Sequence, residues 1–297
     1  MIKTSNEMVI GVYHSKDLDG VCSGAIIKLK YPNAILVPYD YGENLLPHVQ
    51  EGVPIIMADV SVPRDIMSAL ASLSNNRFTW IDHHKSAIHD FSENPVHGVD
   101  CVLKVGISAC ELTWMHLFPD VAMPLPVILL GIYDTWRKDD KQWSWDKLVM
   151  PFQYGMRSIV GLDVNKIANF LTEKPTLEAT LEIDSVATTG RQILDYQKQQ
   201  NEISALAGSF TRLIGDKVAI CMNSTTANSQ LFEAVYNPEK HDIMLVFRYD
   251  ATHWKVSLYT THDSIDVSQI AKQFGGGGHA KAAGFQVKDI NEVIPEL

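Results

Sequence analysis

The most constraining feature of the chain is an apolar segment, Phe78–Ile81, that stops at Asp82-His83-His84. Short apolar segments rich in aromatic and β-branched residues are typical of buried strands. A carboxylate and two imidazoles fit poorly inside such a strand, but they fit its carboxyl end, where open α/β sheets bind ligands. Surface histidines in a polar loop are the alternative. That alternative is disfavoured because three other apolar segments also lead into aspartate.

Each of those three segments ends at or near candidate site residues. They are Met8–Tyr13 with His14, Asp17 and Asp19; Pro54–Ala58 with Asp59; and the helical segment Pro124–Tyr133 with Asp134. Neighbouring carboxylates are costly unless cations neutralise them. Two alternatives stay open at this point: Asp17 as the cap of the following helix, and Asp134 in a weak surface pair with Arg137.

Six of these residues form a candidate set of metal ligands. They are His14, Asp17, Asp19, Asp59, His83 and Asp134. Carboxylates and imidazoles without thiolates suit Mn²⁺, Mg²⁺ or Fe²⁺ better than structural zinc. Four carboxylates and two imidazoles exceed the needs of one ion. The set therefore predicts two ions that share a bridging carboxylate and a bridging water.

Strands that alternate with helices predict an α/β fold whose N-terminal domain has a mainly parallel, doubly wound sheet. A chain of 297 residues is long enough for two domains. We expect a catalytic domain over residues 1–175, a connecting helix over 176–206, and a smaller C-terminal α/β domain over 207–297. The cleft between the two domains is the expected place for the substrate.

The C-terminal part contains four consecutive glycines, Gly275–Gly278, followed by His279. A glycine run is usually a flexible linker, but its backbone amides can also approach an anion closely. Because this run follows a predicted helix, Val267–Phe274, late in a compact domain, we favour a loop that contacts phosphate or nucleotide. A helix is also predicted over Thr226–Ala234.

Two further segments have a structural and a functional interpretation. The segment Gly106–Ala109 resembles a helix N-terminus that could face a phosphate, although ordinary capping by Ser108 is favoured. Trp143 and Trp145 are expected in the core or at an interface, with base stacking as the less favoured alternative.

The composition limits the class of partner. The formal net charge of −10 argues against binding to long duplexes, which depends on many Lys and Arg contacts with phosphate. The four cysteines form no Cys-x-x-Cys pair, so reduced thiols and a cytoplasmic location are expected. No apolar segment predicts a signal peptide or a membrane span. A homodimer is compatible with the sequence.

Taken in order, the motifs His14…Asp17-x-Asp19-Gly20, Ala58-Asp59, Asp82-His83-His84 and Asp134-Thr135 resemble those of the DHH phosphoesterase superfamily. The tail from Val267 to Phe285, with its glycine run, resembles the DHH-associated C-terminal domain. The residues of these motifs are most similar to those of the nanoRNase (oligoribonuclease) members.

The resemblance implies a role for each matching residue. His14 and Asp17 would bind one Mn²⁺, and Asp19, His83 and Asp134 would bind a second, with Asp59 as the bridge. Asp82 would orient the His83 imidazole, His84 would contact the scissile phosphate, and Arg137 would help to neutralise charge on the phosphate. The far end of the substrate would be held by Gly276, Gly277, Gly278 and His279. His14 lies three residues before Asp17, where many relatives have four.

The implied function is metal-dependent hydrolysis of short oligonucleotides to mononucleotides, with two Mn²⁺ ions as cofactors and Mg²⁺ or Fe²⁺ as alternatives. Three alternatives remain: a phosphatase for 3′-phosphoadenosine 5′-phosphate, a phosphodiesterase for linear or cyclic dinucleotides, and an inactive nucleotide-binding sensor. The expected partner is a short oligonucleotide or dinucleotide.

Overall fold

A computed structural model describes residues 3–172, 176–225 and 228–295, apart from the side chain of Thr176. Internal contacts divide the chain into two units, Met1–Ile193 and Leu194–Leu297. The domain boundary expected at residues 175 and 176 falls at the undescribed residues 173–175. Within the described ranges, no helix has both the length and the apolar character needed to cross a membrane.

The first unit is built on strands that alternate with helices. In chain order its elements are β1 (Ile10–His14), α1 (Leu18–Lys30), β2 (Ile35–Tyr39), β3 (Ile55–Ala58), α2 (Arg64–Leu73), β4 (Phe78–Asp82), α3 (Lys85–Glu93), β5 (Val99–Leu103), α4 (Ala109–Leu117), α5 (Leu125–Asp134), α6 (Met150–Ile159), α7 (Val164–Leu171) and the start of α8 (Thr176–Gly208). The strands pair in parallel in the order β2-β1-β3-β4-β5. The predicted parallel α/β fold is thus confirmed.

Helices cover both faces of this sheet. On one face Ile10, Val12 and Met57 pack with α2 side chains such as Leu70. On the other face Ala58 and its neighbours pack in a second core with α1, α4 and α5. Because both faces are buried, the strands read as continuous apolar segments instead of alternating ones. Strand β5 was not predicted, since its Asp100 and Cys101 are exposed at the edge of the sheet.

The strand order places a topological switch point at β1, whose neighbours are β2 and β3. Open α/β sheets bind ligands at such a point, beyond the carboxyl ends of the strands. His14 is the last residue of β1, and Asp59 directly follows β3. The connectivity alone therefore brings these two residues to the expected binding edge.

The second unit contains a mixed sheet. In chain order its elements are the end of α8, β6 (Phe210–Ile214), β7 (Lys217–Asn223), β8 (Ile243–Tyr249), β9 (Trp254–Tyr259), α9 (Val267–Gln273), β10 (Gly277–His279) and β11 (Ala282–Val287). The strand order is β10-β11-β9-β8-β7-β6, and only β7 and β8 pair in parallel among these neighbours. A separate C-terminal α/β domain is thus confirmed.

Two local predictions in this unit differ from the structure. The predicted helix Thr226–Ala234 begins at two residues outside the described ranges, and a short 3₁₀ turn occupies Ser229–Phe232. The glycine run is not an open loop, because Gly277–His279 pairs with β11 as the edge strand of the sheet. The small residues opposite it allow this pairing.

Candidate metal centre

Asp59 lies at the middle of the site. It is 1% exposed, and its backbone N–H donates to the Ile81 carbonyl at 3.0 Å. Its Oδ2 lies 3.7 Å from Nδ1 of His14, while its Oδ1 lies 3.2 Å from Nε2 of His83. The two oxygens of one carboxylate therefore face two different imidazoles. Its backbone has a φ of 63°, in the left-handed region that few residues other than glycine adopt.

One group of ligand atoms consists of His14, Asp17 and Asp59, all within 4.8 Å of one another. The Nδ1 of His14 lies 2.7 Å from Oδ2 of Asp17. The other Asp17 oxygen accepts a hydrogen bond from the Gly20 N–H at 2.9 Å and caps α1. Capping and participation in the site, which the sequence offered as alternatives for Asp17, therefore occur together. The three-residue spacing of His14 and Asp17 does not keep them apart.

A second group consists of Asp19, His83 and Asp134, again with ligand atoms within 4.8 Å of one another. The Nε2 of His83 lies 3.5 Å from Oδ2 of Asp19 and 3.3 Å from Oδ2 of Asp134. His83 directly follows β4, and Asp134 is the last residue of α5. Side chains from a strand and a helix thus meet around one imidazole.

The carboxylate of Asp19 is fixed by the N-terminus of α4. Its oxygens accept hydrogen bonds from the backbone N–H groups of Ala109 at 2.9 Å and Cys110 at 2.8 Å. The expectation that this helix end could face a phosphate is therefore corrected, because the protein's own carboxylate occupies those donors. Ser108 caps α4 as favoured, and Glu111 completes a capping box. The Ser-x-x-Glu spacing was a signal that the sequence reading did not use.

Asp82 supports a different histidine from the one expected. Its Oδ1 lies 2.7 Å from Nδ1 of His84, and it also accepts from the backbone N–H groups of His83 and His84. The imidazole that Asp82 orients is therefore that of His84, which is 41% exposed. The expected support of the His83 ring is wrong, because the chain turns at the end of β4 and aims that ring at Asp59.

Arg137 is tied to a buried acid. Its Nη2 donates to Oε2 of Glu111 at 2.6 Å, and its Nε donates to the Thr135 hydroxyl at 2.8 Å. The alternative of a surface pair with Asp134 is not what the structure shows. Contact between Arg137 and a phosphate stays a prediction. Its observed contacts join the C-terminal end of α5 to the start of α4, and so join the elements that carry Asp134 and fix Asp19.

Comparison with known proteins assigns the C-terminal part of the chain to a domain family. Residues 192–297 match the DHHA1 domain. The chain is 28% identical to an uncharacterized protein of Acanthamoeba polyphaga mimivirus, over 97% of this chain and 61% of that protein. It is 25% identical to the oligoribonuclease NrnB of Bacillus subtilis, over 94% of this chain and 73% of that protein. The chain thus spans less than two thirds of the viral relative.

Solved structures agree on the fold. A DHH domain from a protein described as a member of a family of ribosomal proteins superposes with a TM-score of 0.56 at 12% identity, covering 97% of this chain and 84% of that one. Residues 192–297 thus match the DHHA1 domain, and the chain as a whole is similar to proteins of the DHH phosphoesterase superfamily. A pGpG-specific phosphodiesterase, PggH of Vibrio cholerae, shares the fold with a TM-score of 0.54 at 13% identity, over 96% of this chain and 95% of that one.

The site around Asp59 has polar atoms that the protein alone leaves unpaired. Within the described residues, both carboxylate oxygens of Asp59 and Nε2 of His83 are buried without a hydrogen-bond partner. Unpaired buried polar atoms are costly, so they call for a ligand. Oxygen and imidazole donors in this arrangement fit divalent cations such as Mn²⁺ or Mg²⁺. The residues present therefore can hold the metal ions on which the DHH family depends.

The electrostatics of the site also favour added positive charge. Burial, followed by the charge of Asp19, raises the pKa of Asp59 well above its usual value. Removal from water and the charges of Asp19 and Asp59 raise the pKa of Asp134 to about 8. The close contact with Asp17 raises the pKa of His14 to about 10. Without cations, the site around Asp59 therefore retains protons that its ligands must release to bind metal.

The metal-free protein is expected to lose stability as pH rises, most steeply between 6.5 and about 8, where the contributions of Asp134 and His14 both fall. Asp134 has a folded pKa of about 8, above its usual 3.8, so the stability that it contributes falls between those values. The contribution of His14 is lost between its usual 6.5 and about 10. Because binding requires loss of these protons, Mn²⁺ should raise the melting temperature more at high pH than at low pH.

This pH prediction is checked by thermal melting in chelator and in Mn²⁺ across the pH range. Asp134→Asn should flatten the pH dependence of the melting temperature of the metal-free protein. Asp120→Asn, at an exposed loop residue, should leave that dependence unchanged. A metal-free melting temperature that is constant or rises with pH would contradict the prediction.

In the DHHA1 domain, close packing of the backbone explains why two of the four residues proposed to contact substrate are glycines. A Cβ at Gly276 would lie 2.2 Å from the Gly284 carbonyl oxygen, and one at Gly278 would lie 2.6 Å from the Ala282 carbonyl oxygen. A Cβ at Gly277 meets no described atom within 4 Å, and His279 is exposed on the same edge strand. A substitution at Gly277 or His279 can therefore test the proposed contact with substrate without disturbing the fold.

Proposed function

We propose that the protein is a metal-dependent phosphodiesterase that hydrolyses short oligonucleotides to mononucleotides. The observation that carries the proposal is the position of Asp59, whose two oxygens face His14 and His83 in two separate ligand groups. One buried carboxylate that belongs to the first group and lies against the imidazole of the second suits a pair of divalent cations. The Bacillus relative, named an oligoribonuclease, supports the choice of substrate class.

The roles of the ligands are part of the same proposal. His14 and Asp17 would hold one cation, Asp19, His83 and Asp134 would hold the other, and Asp59 would contribute to both. Bound there, Mn²⁺, or Mg²⁺ or Fe²⁺ in its place, would lower the pKa of water and neutralise charge on the phosphate. The hydrogen bonds that α4 donates to Asp19 keep that ligand in position while protons and metal exchange.

His84 is proposed as the side chain that contacts the scissile phosphate. It is more exposed than His83, and Asp82 holds its ring at Nδ1, which leaves Nε2 for the substrate. The bond to Asp82 raises the pKa of His84, so the imidazole carries a positive charge over a wider pH range. A cation held beside the phosphate stabilises the negative charge that develops in the transition state.

Short substrates are expected to be hydrolysed in preference to long strands. The net charge of −10 gives long polyanions little attraction, whereas bound cations supply positive charge at the site itself. A labelled RNA series from dinucleotides to long single strands, incubated with Mn²⁺, should show the fastest release of mononucleotides from the shortest members. Processive degradation of long single-stranded DNA at physiological salt would contradict this.

The same substrate panel separates the rival functions when it includes 3′-phosphoadenosine 5′-phosphate and both linear and cyclic dinucleotides. Release of inorganic phosphate from the first compound alone indicates a phosphatase. Cleavage restricted to dinucleotides indicates a dinucleotide phosphodiesterase. Tight nucleotide binding without turnover in any arm indicates a sensor. Asp59→Asn serves as the inactive control in each arm.

A further inference from the structure

An aromatic cluster is formed by residues that flank Asp134 in the chain and by a tryptophan that packs on them. It is formed by Tyr133, Trp136 and Trp145, and is here called the Trp136 cluster. The Tyr133 and Trp145 rings stack with centroids 5.5 Å apart, and Trp136 meets Trp145 edge to face at 4.9 Å. The ammonium of Lys138 lies 4.4 Å from the centroid of the Trp136 ring. Trp145 is buried, but Trp136 is 60% exposed.

The backbone at Trp136 is one that tryptophan disfavours. Its φ is 55°, in the left-handed region. Its N–H donates to the Tyr133 carbonyl at 3.1 Å, and the Arg137 N–H donates to the Ile132 carbonyl at 3.0 Å. These bonds form a Schellman motif, in which this residue is usually glycine because a side chain adds strain. Neither backbone preference nor burial accounts for an indole at this position.

The position of Trp136 relative to the proposed chemistry is fixed by the chain. It lies two residues after Asp134, whose Oδ2 is 3.3 Å from Nε2 of His83. Two residues span at most about 7 Å of backbone. The Trp136 backbone therefore lies within about 7 Å of the backbone of Asp134, and its exposed indole is available to a ligand of the site. Its contact with Trp145 and the hydrogen-bonded turn limit how far it can move.

We propose that Trp136 is a stacking platform for the base of the nucleotide whose phosphate lies at the metal centre. The proposal rests on the function proposed above and names one part of its substrate site. Aromatic side chains stack on any base, because every base has a π-face, so the platform suits short oligonucleotides of mixed sequence. The Lys138 ammonium lies over one face of the ring, so the base would stack on the other face, and the ammonium provides a cation for the accompanying ribose-phosphate.

The test compares substrates with and without the base. The probes are an RNA dinucleotide and the same compound with an abasic residue at either position. Trp136→Ala should raise KM for the intact dinucleotide by roughly 5- to 150-fold, the range of one lost base stack. It should have little effect on one of the two abasic substrates, which already lacks that stack, and Trp136→Phe should recover part of the loss. Equal effects of Trp136→Ala on all three substrates would overturn the proposal.

A binding measurement separates failure of this inference from failure of the proposed function. Calorimetry with Mn²⁺-loaded protein compares adenosine 5′-phosphate with ribose 5-phosphate, which lacks the base. Wild type should prefer the nucleotide, and Trp136→Ala should remove that preference, whether or not any oligonucleotide is hydrolysed. Tyr196→Ala, at an exposed aromatic residue on α8, is the control and should keep the preference. Equal binding of the two compounds by wild type would overturn the stacking role.

Discussion

Asp59→Asn is expected to abolish turnover and, at the same time, to raise the melting temperature of the metal-free protein. Asp59 is 1% exposed, and burial together with the charge of Asp19 raises its pKa well above the usual value. Without cations, the folded state must therefore either bury this charge or protonate the carboxylate, and at neutral pH both are destabilising. Asparagine has nearly the same shape, carries no charge and tolerates the left-handed backbone at a φ of 63°.

The loss of turnover should be roughly a thousandfold or more, comparable to the removal of a central electrostatic group. Melting of wild type and Asp59→Asn in chelator and in Mn²⁺ reports both effects. Wild type should gain stability from the metal, whereas the variant should start higher and gain much less. Asp59→Ala is a useful comparison, because it also removes the charge but adds strain in the left-handed backbone.

Asp120→Asn is the matched control, because it removes one aspartate charge at an exposed loop residue. It should change neither the metal-free melting temperature nor the response to Mn²⁺. An Asp59→Asn protein that is less stable than wild type without metal, and equally stabilised by Mn²⁺, would contradict the proposed bridging role.

His83→Ala and His84→Ala are expected to impair different properties, metal binding in the first and turnover alone in the second. The Nε2 of His83 lies within 3.5 Å of Asp19, Asp59 and Asp134. Removing it should weaken Mn²⁺ binding and turnover together. His84 is 41% exposed and is held by Asp82, so its removal should leave metal binding intact and lower turnover by roughly 100- to 1000-fold.

Calorimetric titration with Mn²⁺ and initial rates with a dinucleotide distinguish the two variants. Asp82→Asn should resemble His84→Ala, because the structure places Asp82 on the His84 ring. His89→Ala, at an exposed residue of α3, should match wild type in both measurements. If His83→Ala and His84→Ala weaken Mn²⁺ binding equally, the proposed division of roles between the two histidines is wrong.

The position of the site could be predicted from the sequence, because it depends on local patterns of apolar and charged residues. Buried strands of a parallel sheet read as apolar segments, and a charged residue can interrupt such a segment only at its end. Asp59 and the Asp82–His84 stretch were therefore placed at strand ends. The parallel arrangement then required those ends to lie along one edge. Asp134 followed from a similar argument at the end of a helix.

The partners of those residues were decided by contacts between distant parts of the chain. Asp19 is fixed by N–H groups about 90 residues away, and no local pattern specifies which side chain a helix end will receive. Asp82 could have supported either neighbouring histidine, and only the turn after β4 determines that it holds His84. Edge strand β5 was missed because its exposed residues lack the apolar pattern of a buried strand.

The sequence by itself thus determined the fold class and the set of side chains at the sheet edge. Burial patterns are local, and they repeat for each strand and helix. Only the tertiary structure decided which of those side chains come together in overlapping groups that share Asp59 and His83, and that Trp136 is exposed to solvent. These features depend on side-chain directions at the ends of separate elements, which residue spacing along one element does not specify.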